Sequence, residues 1–68
     1  MLQTGTEGMK VFAIGSRFAL PSGRLVEVTD FTGDRVECAY ITPLGLGWRR
    51  LEGVEFLAAW LWRYGTRV

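Results

Sequence analysis

Gly47-Trp48-Arg49-Arg50 sets an indole beside two guanidinium groups. That combination suits single-stranded nucleic acid, where a base stacks on the ring and the arginines contact phosphates. Arg17 and Arg24 would widen such a surface, with Arg63 and Arg67 nearby. Two facts weigh against it. Eight Lys and Arg stand against seven Asp and Glu, for a net charge of +1, whereas a dedicated nucleic-acid binder carries a clear basic excess. Adjacent residues of a strand also point to opposite faces, so Arg49 and Arg50 share one surface only if the segment is a loop. Nucleic-acid binding through Trp48, Arg49, Arg50, Arg17 and Arg24 is therefore the alternative expectation.

The segment "EFLAAWLWRYG", residues 55–65, offers a different chemistry. The spacing predicts a helix with Glu55 in its first turn, Arg63 in its last and Gly65 as its stop, both charges matched to the helix dipole. At 100° per residue Val54, Leu57, Leu61 and Tyr64 form one apolar stripe with Trp60 at its edge, and Glu55, Ala59 and Arg63 mark the opposite face. Phe56 and Trp62 then flank the polar face, where a core has no need of them. Aromatic rings rimmed by arginine are what centres of protein contact favour. Phe56, Trp60, Trp62 and Arg63 are thus the expected surface for a protein partner, either a second copy of the chain or another protein. The competing use of these rings is to close the open end of the core.

No enzymatic constellation is visible. The chain has no histidine and one cysteine, which excludes the usual zinc ligand sets and Ser-His or Cys-His catalysis. Its carboxylates show no recognised spacing, and Glu27 and Glu37 are read as solvent-facing charges rather than a catalytic pair. "IGSRFALPSG" lacks the spacing and the Lys-Ser/Thr pair of a phosphate loop. Cys38 reads as a small core hydrophobe. A non-enzymatic binding module without metal or cofactor is expected. One cysteine suits a reducing cytoplasm. No apolar run approaches the roughly 18 residues of a membrane span, and Gly15, Ser16 and Arg17 interrupt the run from Met9 before it resembles a secretion signal.

The elements that must position these residues are mostly strands. Val11 to Leu20 places Phe12, Ile14, Phe18 and Leu20 on one parity, with Gly15 and Ser16 marking a bulge or the true strand start. "PSG" supplies a turn. "RLVEVTDF" puts Val26 and Val28 on one face, and "DRVECAYIT" puts Val36, Cys38 and Tyr40 on one face. A two-residue loop of Thr32 and Gly33 would mix the faces, and a five-residue loop would set Glu27 against Glu37. A three-residue loop, Thr32 to Asp34, sets Val28 opposite Cys38 and Val26 opposite Tyr40, with Thr29 meeting Glu37 outside. "TPLGLG", Thr42 to Gly47, is expected as a flexible connection. "WRRL" is expected as a short strand.

With 49% apolar residues, including three Trp, two Tyr and four Phe, the 68-residue chain is expected to fold as one domain over residues 10–68 behind a loose tail, residues 1–9. Met9 could serve as an alternative start. At this size a single core is barely sufficient, so self-association could complete it. Short strands about ten residues apart and one terminal helix predict a mainly β architecture, a small antiparallel barrel of four or five short strands with a C-terminal helix. Gly15 and Phe18, Ser22 and Gly23, then Gly33, Asp34 and Val36 carry a pattern that resembles the small SH3-like barrels of bacteria, including KOW and Tudor-like modules, over about half of the chain. The resemblance implies a binding module, since relatives of this fold take nucleic acid, proline-rich peptides or modified tails. The chain departs from it at the tryptophan-rich end, where such barrels often have a short 3₁₀ turn and a last strand.

Overall fold

The structure, a computed structural model, describes residues 12–68. The expected tail, and Lys10 and Val11 of the first expected elements, lie outside the described residues. The elements are β1 (Arg17–Ala19), β2 (Leu25–Thr32), β3 (Arg35–Leu44), β4 (Gly47–Leu57), α1 (Ala58–Tyr64) and β5 (Thr66–Arg67). All five strands form one antiparallel sheet in the order β4-β3-β2-β1-β5. The domain is mainly β with one short C-terminal helix, as expected.

The first strand is shorter than its apolar alternation suggests. Gly15 N–H donates to the Val28 carbonyl at 2.8 Å and Val28 N–H donates to the Ser16 carbonyl at 2.8 Å, so two residues stand against one and pairing becomes regular only at Arg17. Phe12, Phe18 and Leu20 are buried, but Ile14, expected beside them, is 63% exposed because it lies before this kink.

Between β2 and β3 the expected core register is present, Val28 opposite Cys38 and Val26 opposite Tyr40. It is reached differently. The loop is the two-residue turn Gly33–Asp34, with Thr32 already paired to Arg35, and the extra residue appears inside β2 as a bulge between Val28 and Asp30. Thr29 is the residue left over, and its hydroxyl donates to the Glu37 carbonyl at 3.0 Å. Asp30, not Thr29, is the backbone partner of Glu37.

The expected flexible stretch Thr42–Gly47 is mostly strand. Only Gly45 and Leu46 form the turn, and Thr42, Pro43 and Leu44 pair with β4. Pro43 is tolerated because β2 pairs with β3 no further than Leu25 opposite Ile41, so no neighbouring strand needs its missing N–H. Gly33 (φ 62°) and Gly45 (φ 60°) each hold the first central position of a two-residue turn, and among the described residues none other than glycine has positive φ. This is the type II′ requirement, which matches the twist of the paired strands.

A second irregularity, between Ala39 and Ile41, sets Leu51 and Glu52 of β4 against Tyr40. The bulges increase local twist, and the sheet wraps its inner face around the core. Phe18, Val26, Val28, Val36 and Cys38 line that face with Phe12, Leu20 and Leu61, while Tyr40, Val54, Phe56 and Ala58 pack at its margin.

The helix begins later than its sequence pattern predicts. Val54 to Leu57 remain in β4, paired with Cys38 to Arg35. Val54 and Phe56 fit a period of 2 as well as one of 3.6, and the waiting backbone of β3 outweighs the weak helical preference of these residues. Glu55 is therefore on a strand, and the first turn of α1 holds no acid. Its first N–H, from Ala58, donates instead to the Asp34 carbonyl at 2.8 Å. Of the expected apolar stripe only Leu61 is fully buried; Leu57 and Tyr64 are about half exposed.

Gly65 ends the helix in an extended conformation (φ −80°, ψ 151°) and donates its N–H to the Leu61 carbonyl at 2.9 Å. The chain then lies along β1, with Val68 N–H donating to the Arg17 carbonyl at 3.1 Å. A Cβ at position 65 would stand 2.8 Å from both Leu61 Cδ1 and the Leu61 carbonyl oxygen. Gly65→Ala should therefore destabilise the fold by about 1–3 kcal/mol through overpacking. In a domain of this size that lowers Tm by about 4–8 °C per kcal/mol, read by thermal unfolding. An unchanged Tm would show that Leu61 can yield its seat freely.

Candidate functional site

The aromatic residues near the C-terminus divide into two groups, set by the rotation of α1. With Leu61 buried, Trp60 and Tyr64 project to one side of the helix and Trp62 to the other. Phe56, at the end of β4, continues the first group. Its ring stacks on Trp60 with centroids 5.3 Å apart and planes at 6°, and Trp60 meets Tyr64 at 5.3 Å and 42°. The Arg63 guanidinium lies 5.7 Å from the Tyr64 ring centre. Trp60 is 38% exposed and Tyr64 49% exposed, so this ladder is fixed by its own packing yet open to solvent. Phe56 is half-buried against the core, which corrects its expected place beside a polar helical face.

Trp62 is the more exposed ring, at 58%, and meets Phe12 edge-on at 6.3 Å and 71°. Of the four residues expected to form one protein-binding surface, the structure joins Phe56 and Trp60 and places Arg63 at their margin. It puts Trp62 on the other side of the helix. Tyr64, expected in the core, completes the ladder. Its spacing from residues 56 and 60 was a signal in the sequence, masked by assigning it to the buried stripe.

The residues of the alternative site are split between the two faces of the sheet. Arg50 is paired with Ile41, and Arg49 with Thr42, on adjacent and therefore opposite-facing positions. On the face of Arg50, Glu27 accepts from Arg50 Nη2 at 3.1 Å and sits 3.6 Å from Arg17 Nε. Arg17 lies 5.3 Å from the Trp48 ring centre. Trp48, Arg17 and Arg50 thus do gather, but around a carboxylate that is 13% exposed and whose single charge the two cations share. Arg24 is on the other face, with its guanidinium 3.6 Å from the Tyr40 ring centre. Glu27, which organises the cluster, was recognisable only once its pairing with Arg17 was known.

Asp30, Glu37 and Glu55 form an acidic row across β2, β3 and β4. Arg35 Nη1 is 3.6 Å from Glu55 Oε1, and the Thr32 hydroxyl donates to Glu37 Oε2 at 2.9 Å. Glu27 and Glu37 are not paired with each other in the sheet. Among the described residues no group of three or more acidic or cysteine side chains is arranged to hold a metal ion, and no helix is long and apolar enough to cross a membrane. No known protein family, curated protein or solved structure matches the chain.

Cys38 is 3% exposed, and burial pushes its thiol from 9.0 up to about 11. The fold favours the neutral thiol, so this contribution to stability is complete below about pH 9 and is lost as the pH rises through about 11. In the native protein a disulfide reagent should leave Cys38 unmodified at neutral pH and react after unfolding in urea. Urea titrations should show a smaller alkaline loss of stability in Cys38→Ala than in the parent chain. Rapid modification of the native thiol would contradict its burial.

Proposed function

We propose that this chain is a non-enzymatic binding module that docks a protein, either a second copy or another chain, on the ladder of Phe56, Trp60 and Tyr64 with Arg63 at its edge. The observation that carries this reading is the Phe56–Trp60 stack: two rings held parallel at 5.3 Å while the indole keeps 38% of its surface in water. Rings already fixed by a neighbour lose little rotamer freedom on contact, and large amphipathic side chains supply most of the free energy in protein interfaces. Trp62 adds apolar surface on the other side of the helix. The resemblance to small SH3-like barrels over about half of the chain also favours a binding module. A buried single thiol suits a reducing compartment such as the cytoplasm.

Nucleic-acid binding through Trp48 and the arginines has less support. Arg17 and Arg50 share the Glu27 carboxylate, and Arg24 and Arg49 face the other way, so these arginines do not line one continuous cationic track for a phosphate backbone.

Replacing Tyr64 with a photoreactive benzoylphenylalanine tests the proposal in cells that make the protein. Irradiation should produce an adduct to a protein, whose mass distinguishes a second copy from another chain. Trp60→Ala should lower its yield about tenfold or more, as expected for a contact-centre tryptophan, with the fold retained by circular dichroism. Absence of any protein adduct, or an adduct to nucleic acid alone, would overturn the reading.

A further inference from the structure

The sheet has a long free edge. β4 is its outermost strand, eleven residues of which Gly47 to Gly53 are all exposed. Its charges are segregated: Arg49 and Arg50 precede the bulge, and Glu52 and Glu55 occupy or follow it.

The register with β3 determines which backbone groups of β4 point outward. Leu44 and Gly47 close a two-residue turn and so form a hydrogen-bonded pair. At the other end, Ala58 N–H donates to the Asp34 carbonyl. Alternation inward from both ends turns the N–H and C=O of Trp48 and Arg50, and beyond the bulge those of Gly53 and Glu55, away from β3 and toward the free edge.

We infer that this edge binds the same edge of a second copy, antiparallel, with Trp48 opposite Glu55 and Arg50 opposite Gly53 about a two-fold axis. In this register every outward-pointing backbone pair can exchange hydrogen bonds. The two bulges fall opposite each other, Leu51 against Glu52 in both directions, so neither breaks the ladder. The basic half of each strand lies along the acidic half of the other, which sets Arg50 diagonally across from Glu55 and Arg49 diagonally across from Glu52. Gly53 leaves room for the Arg50 stem. Shifting the strands by one residue sets outward-facing residues against inward-facing ones, shifting them by two takes the bulges out of opposition, and a parallel alignment in register puts arginine on arginine. Charges that deter indiscriminate edge pairing thus permit this one. The occupant is therefore a second copy rather than an arbitrary strand.

The inference does not rest on the aromatic ladder, and the experiment separates the two. Arg49 and Glu52 take part in none of the described ion pairs, so Arg49→Glu and Glu52→Arg are suitable variants. Sedimentation of the whole chain should show a dimer that each variant weakens about tenfold or more. An equimolar mixture of the two variants should restore association. Trp60→Ala should leave the dimer intact. Amide exchange at Trp48, Arg50, Gly53 and Glu55 should slow as protein concentration rises through the dimer range. A chain that stays monomeric up to millimolar concentration overturns the inference. So does a dimer that both charge variants retain with these four amides unprotected, and so does a dimer that Trp60→Ala abolishes.

Discussion

Everything at the C-terminal end depends on the seating of Leu61 in the open end of the curled sheet. A helix of seven residues has almost no stability of its own, because the cost of nucleation is not recovered over two turns. Its tertiary contacts hold it, above all the fully buried Leu61 side chain and the bond from Ala58 N–H to the Asp34 carbonyl. Gly65 passes so close to Leu61 that only a hydrogen fits, and this close passage returns the chain to β1. Once Leu61 is fixed, 100° per residue fixes the rest. Trp60 and Tyr64 emerge beside Phe56, and Trp62 emerges beside Phe12. The exposed ladder follows from one aliphatic packing contact, even though its own rings are much larger.

The strand faces were legible because alternation at Val26, Val28, Val36 and Cys38 allows few registers, and only some match apolar to apolar. The route to that register was not legible. An extra residue in the loop and an extra residue inside β2 give identical core pairs, and they differ only around Thr29 and Thr32 to Asp34. No local signal at Thr29 separates them; a type II′ turn with Gly33 first is simply the better match to strand twist. The helix boundary failed for a related reason. Val54 and Phe56 satisfy both periods, and the deciding partner, Arg35 to Cys38, lies about twenty residues away in sequence. Tyr64 was misplaced as a consequence, since a helix started at Val54 makes it part of a core stripe that α1 does not have.

The near-neutral net charge conceals a spatial pattern. Glu27 lies between Arg17 and Arg50 on one part of the outer face, while Asp30, Glu37 and Glu55 leave another part acidic with Arg35 beside it. Composition argued against a strong field around the molecule, and the placement of charges agrees. Such local pairs are screened and individually weak at an exposed surface. Their value is directional, because they favour some neighbours over others at short range.

The two proposed surfaces differ in physical character, yet both depend on the point where β4 becomes α1. The ladder is apolar and should tolerate salt; the β4 edge combines backbone hydrogen bonds with opposed charges and should weaken as salt rises. If the helix began at Val54, Gly53 would sit at its start and Glu55 within its first turn, so neither would offer backbone groups to a second strand. Phe56 would turn with the helix and no longer stand on the end of a strand beside the core. Holding Val54 to Leu57 in the sheet therefore creates the complementary half of the edge and the base of the ladder together. That residue range is held by its pairing with Arg35 to Cys38, which the Gly33–Asp34 turn aligns. A turn on the far side of β3 thus governs both faces that another molecule would meet.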